Sequence, residues 1–71
     1  MQNYYQLDSE EVKRQMGRQE LKQWWVAEQA GIHKTTLRRW LSGQIQRVRR
    51  DHVEGLARVL GLEPARIVQL D

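Results

Sequence analysis

Seventy-one residues, no cysteine and a net charge of +3 bound what this chain can be. It makes one small domain at most, without a disulfide staple or a thiolate metal site. No apolar run approaches the roughly 20 residues that span a bilayer, and the polar, aromatic N-terminus does not read as a signal peptide. The charge is unevenly spread. Residues 1–28 carry four basic and five acidic side chains, residues 29–50 six basic and no acidic one, and residues 51–71 two basic and four acidic. A basic patch focused in this way steers a polyanion.

The elements read as all-α, with no alternating β-branched run that argues for a strand. Residues 1–7 form a short N-terminal arm with Tyr4, Tyr5 and Leu7, and residues 8–71 form the domain. The first helix starts near Asp8, where Asp8 and Glu11 have capping-box spacing and Leu7 and Val12 have staple spacing. Val12 and Met16 are its apolar positions. Gly17 weakens it, so it ends there or runs on to about Gln19. The second helix covers roughly Lys22 to Ala30, with Val26, Ala27 and Ala30 on one face. Gly31 suits a left-handed helix end and a sharp turn, and Ile32 plugs that turn into the core. The third helix covers roughly Lys34 to Ser42. Leu37, Trp40 and Leu41 make its buried stripe, while Thr35, Arg38, Arg39 and Ser42 lie opposite. Gly43 closes it, and Gln44–Arg50 form a basic loop. The fourth helix runs from about His52 to Leu60, with Asp51 and Glu54 at capping-box spacing and Val53, Leu56, Ala57 and Leu60 as its stripe. Pro64 opens a short fifth helix with Ile67 and Leu70 facing in. So small a core, and a last helix reaching Asp71, lead to the expectation of oligomerisation or a longer parent chain.

The stretch from Val26 through Ala30-Gly31-Ile32 to Gly43 resembles the Cro/repressor-like helix-turn-helix family, often called XRE-type. Leu56-Ala57-Arg58-Val59-Leu60-Gly61 is similar to that family's fourth helix, so the resemblance covers about residues 12–70. It implies a compact, lambda-repressor-like DNA-binding domain of four to five helices, with the helix-turn-helix at helices two and three. Three positions depart from the family pattern. His33 stands where Ser or Thr usually caps the third helix. Leu41 stands where Glu is common, and Met16 where an Arg commonly pairs with that Glu. An apolar Met16–Leu41 contact in place of the ion pair costs little and can stabilise. Thr36-Leu37-Arg38-Arg39-Trp40 is also similar to the recognition helix of the MerR/excisionase type. Those chains usually continue into a hairpin wing, and here a fourth helix follows.

The resemblance places the third helix in the major groove. It implies base contacts from Lys34, Thr35 and Arg39, with Arg38 and Thr36 flanking them. The chemistry agrees, since Arg pairs bidentately with guanine, Lys donates to guanine, and Thr offers its methyl to thymine. Arg38 has a second reading as a partner of phosphate or of Glu28. Gln23 occupies a helix start where the family often bonds phosphate. His33 reaches phosphate or caps the third helix. Arg47, Arg49 and Arg50 precede the fourth helix and are candidates to clamp the backbone.

The two histidines, His33 and His52, lack the partner spacing of a metal site, and no residue grouping suggests catalysis or a cofactor. Trp24 and Trp25 have two readings. Either the Tyr4–Tyr5–Leu7 arm folds over them and enlarges the core, or they form with Tyr4 and Tyr5 a protein interface. The expected function is that of a transcriptional regulator binding double-stranded DNA as a homodimer on a two-fold site, in the bacterial cytoplasm or at the nucleoid. The alternative is an antitoxin-type interaction module with secondary DNA binding. RNA is disfavoured, because no aromatic is expected on the basic face to stack an unpaired base.

Overall fold

Asp8 opens the first helix as its spacing with Glu11 requires: its carboxylate accepts the Glu11 amide at 3.1 Å. The reciprocal half of the capping box is absent, because the Asp8 amide donates instead to the Ile67 carbonyl at 2.8 Å. In the computed structural model, which describes residues 3–69, α1 spans Ser9–Arg18, α2 Gln23–Ala30, α3 Lys34–Leu41 and α4 Arg50–Leu60. Gly17 lies inside α1, and Gln19 caps it.

The periodic stripes meet in one core. Val12 and Met16 of α1, Val26 and Ala27 of α2, and Leu37, Trp40 and Leu41 of α3 are all buried. Val53, Leu56, Ala57 and Leu60 of α4 complete it, together with Leu7 and Ile67 from outside the four helices. Met16 and Leu41, each 5% exposed, both lie in this cluster. Two side chains, one at each end of α1, bond carbonyls at other helix ends. Ser9 Oγ donates to the Trp40 carbonyl at 2.6 Å, beside the Gly43 amide at 3.2 Å, and Gln19 Nε2 donates to the Leu60 carbonyl at 2.8 Å. Carbonyls in the last turn of a helix lack the usual intrahelical partner.

The all-α expectation fails at two segments. Tyr4–Gln6 forms strand β1 and Arg47–Arg49 forms β2, paired antiparallel with Tyr5 opposite Val48. Val48 is 2% exposed and Tyr5 is half-buried against the core, so the pairing carries two apolar side chains inward. Residues 4–7, expected as an arm, are thus built into the fold, and Leu7 is 1% exposed. The pairing also lengthens the fourth helix at its start. Arg49 ends the strand in extended backbone and serves as N-cap, so α4 begins at Arg50 rather than near His52. The Asp51–Glu54 capping box does not form, since Asp51 lies inside α4, where its carboxylate accepts the His52 amide and pairs with Arg49, and Glu54 pairs with Arg50.

The fifth helix is a single 3-10 turn, Pro64–Ile67, with Ile67 fully buried. Val68 then turns extended and bridges to Leu7, which stops the helix; Leu70 lies outside the described residues. No hairpin wing of the MerR type follows α3, because β2 takes its partner from the N-terminus. Among the described residues, no helix is long and apolar enough to cross a membrane.

Candidate nucleic-acid interface

The turn between α2 and α3 depends on Gly31. Its φ of 72° is the left-handed conformation that a side chain disfavours, and it lets the Ile32 amide reach back to the Ala27 carbonyl at 2.9 Å. Ile32 is half-buried beside the core, so the turn is fixed at both ends. His33 follows in extended backbone, and its Nδ1 accepts the Thr35 amide at 3.1 Å. His33 thus forms the cap expected of it at the start of α3. A neutral ring that accepts at Nδ1 carries its proton at Nε2, so the other nitrogen of this exposed residue is a donor.

Beyond the cap, α3 divides by burial. Leu37, Trp40 and Leu41 face the core; Lys34, Arg38 and Arg39 are exposed or nearly so; Thr35 and Thr36 lie on the flanks of that face. None of the three cations forms an ion pair with a described carboxylate, and Arg38 does not pair with Glu28. The end of α3 is held in place around Arg39, whose carbonyl accepts both Ser42 Oγ at 3.1 Å and the Ile45 amide at 3.2 Å.

Helix ends in this fold are sorted by charge. The positive N-terminus of α1 is matched by Asp8, Glu10 and Glu11, and that of α4 by Asp51. The first turns of α2 and α3 contain no acidic residue. Lys22 caps α2 without a side-chain hydrogen bond, and the exposed Gln23 is its first residue. The two helices of the turn therefore start without a carboxylate of their own, the charge pattern that favours an anion.

The expected backbone clamp has a different form. Arg47, Arg49 and Arg50 are exposed but not equivalent. Arg49 is bonded to Asp51 at 2.9 Å and Arg50 to Glu54 at 3.2 Å. Arg47 forms no ion pair with a described residue; its guanidinium carbon lies over the Tyr4 ring, 5.0 Å from the centroid, in a cation–π contact. Asn3, Tyr4, Arg49, Arg50, Asp51 and Glu54 line an open cleft of about 550 Å³. Tyr4 and Tyr5 thus join the arginine strand and not the tryptophans. Trp24 is 60% and Trp25 37% exposed, so the arm does not cover them. The physical reason is the strand pairing, which commits residues 4–6 to β2.

Sequence reasoning missed Tyr4 and Gln6 as neighbours of the basic strand, and Asp51 and Glu54 as counterions. It also missed His52, whose ring lies 5.6 Å from that of Trp40 and joins α4 to α3. Only the Arg50–Glu54 spacing of i, i+4 is a usable local signal, and it competes with the capping reading of the same glutamate.

The sequence model of a family described as a helix-turn-helix domain matches residues 9–70. No curated protein and no solved structure matches the chain significantly. The matched span takes in α1 through the 3-10 turn, including the Gly31 turn and the basic face of α3. The chain belongs to the helix-turn-helix domain family.

Proposed function

We propose that this chain is a non-catalytic, sequence-specific regulator of transcription that lays α3 in the major groove of duplex DNA. The observation that carries the reading is the outward face of α3, where Lys34, Arg38 and Arg39 stand without a described acidic partner. Lys34, Thr35 and Arg39 read bases, with Arg38 and Thr36 beside them. Gln23, at the open start of α2, takes a phosphate. Arg49 and Arg50 each spend one donor on a carboxylate and can take phosphates with their remaining N–H groups or by exchanging Asp51 and Glu54, and His33 offers Nε2–H once its Nδ1 is occupied by the cap. The finer assignment is repressor-like, of XRE type, bound as a homodimer to a two-fold site in a bacterial or phage setting and resident on the nucleoid or in the cytoplasm.

Selection from a randomised duplex of about 30 base pairs tests this, because it is long enough for half-sites about 34–36 Å apart. An inverted repeat with that spacing supports the dimeric regulator. A single half-site supports a monomeric reader. Retention without any sequence motif overturns specific reading.

A second reading is favoured by the exposure of Trp24 and Trp25, since large aromatics left in solvent are characteristic of interface centres. On that reading the chain is an antitoxin-type module whose main partner is a protein. Trp24→Ala and Trp25→Ala would then abolish partner capture while leaving duplex affinity intact.

A further inference from the structure

We infer that the outward face of the β1–β2 ribbon is a second DNA-contacting element, a wing that grips a phosphate of the duplex read by α3. The inference rests on the reading of α3 as the DNA-binding helix. The strand register sets the wing's composition. With Tyr5 and Val48 turned inward, Tyr4, Gln6, Arg47 and Arg49 are left exposed. Neither strand contributes a carboxylate to that face.

The two arginines divide the work. Arg49 is neutralised by Asp51 at 2.9 Å, whereas Arg47 has no ion-pair partner among the described residues. Arg47 is held over the Tyr4 ring, 5.0 Å from its centroid. This cation–π contact uses no carboxylate, so the guanidinium keeps its full charge for phosphate oxygens. It also removes rotamer freedom before any ligand arrives, which lowers the entropic cost of binding.

The ribbon is fastened to the end of α3 by short bonds. The Ile45 amide meets the Arg39 carbonyl at 3.2 Å, and the Leu7 amide meets the Gln46 carbonyl at 2.8 Å. Gln6 Nε2 donates to Gln46 Oε1 at 3.0 Å, and Gln46 Nε2 to the Gly43 carbonyl at 3.4 Å. The ribbon is therefore held at a fixed position relative to the end of α3, as a second contact on the same duplex requires. A phosphate is the fitting target because the free donors belong to a planar cation and not to an apolar surface.

The test measures binding of a fluorescent mixed-sequence duplex across a potassium chloride series. The proteins are wild type, Arg47→Gln, Tyr4→Ala and, as a control on α3, Arg39→Ala. Arg47→Gln is expected to flatten the slope of log affinity against log salt by about 0.9, the signature of one phosphate no longer neutralised. Tyr4→Ala keeps the charge and so keeps the slope, but weakens binding about two- to fivefold by releasing the stack. Thermal melting checks that each variant folds, and Arg47→Lys, which keeps charge without the fork, replaces Tyr4→Ala if the latter does not. Wild-type slope and affinity in Arg47→Gln, with binding weakened in Arg39→Ala, overturn the wing alone. Failure of the wild type to bind the duplex overturns the reading of α3, and the wing with it.

Discussion

At the scale of single residues, the sharpest claim concerns Arg39. It is exposed on α3, carries no described counterion, and has its backbone fixed by Ser42 and Ile45. Arg39→Ala should cost roughly 1–3 kcal/mol on the selected site and relax preference at one base pair. Equal losses on every sequence, measured by competition, would instead make Arg39 a phosphate contact. Glu11 is one residue through which pH acts on the fold. The hydrogen bond from Gln15 Nε2 at 2.8 Å holds its carboxyl below the ordinary value of 4.5, and the charges of Arg14, Arg66 and Arg18 add to this against the opposing effect of desolvation. The native state thus binds this proton less readily than the unfolded chain does. The resulting stability is present above 4.5 and is lost as pH falls through the lowered native value. Urea unfolding at about pH 6 and about pH 3 should show a smaller acid loss for Glu11→Gln than for wild type. Leu41 is 5% exposed, and the buried side chains described around the core include no cation. Leu41→Glu therefore buries an unpaired charge. It should lower stability by roughly 3–5 kcal/mol, and a variant melting at the wild-type temperature would refute that burial.

At the scale of elements, helix ends explain more than helix interiors. His33 performs the capping that Ser or Thr usually supplies, so α3 starts where the sequence pattern places it. The start of α4 is set by β2 and not by its own capping residues, which is why the expected boundary near His52 falls late. Gly17 is a helical residue without a structural reason to be glycine, since a Cβ there would meet nothing within 4 Å. Gly17→Ala should stabilise the domain by about 0.5–1 kcal/mol through helix propensity. The expected rise in Tm is several degrees for so small a domain, and a lowered Tm would reveal a contact at that surface.

At the scale of the whole molecule, charge is arranged in two tiers. Lys34, Arg38, Arg39 and Arg47 stand without described ion pairs, while Arg49 and Arg50 are held by Asp51 and Glu54. Both pairs are exposed, so they add little to folding. On the proposed reading their effect falls on binding, because each carboxylate offsets the charge that a phosphate meets at its arginine. The double variant Asp51→Asn with Glu54→Gln should therefore keep its stability within about 1 kcal/mol of wild type, the loss coming from the helix-end charge of Asp51. It should also bind all duplexes more tightly, with a salt slope steeper by up to about 0.9 for each additional phosphate neutralised. An unchanged slope would show that the start of α4 stands off the DNA.

By itself, the sequence determined the four helices, the turn at Gly31 and the basic outward face of α3. Each rests on contacts within about one helical turn, so apolar spacing, a cap or a glycine is enough to declare it. Tertiary structure decided the rest. β1 and β2 are three residues each, too short for alternation to be visible, and they pair across most of the chain length. That pairing took the arm away from Trp24 and Trp25, joined Tyr4 to Arg47, and moved the start of α4 so that Asp51 and Glu54 met arginines. Which cations remain uncompensated is a question of distances between separate segments, and only the folded chain sets those distances.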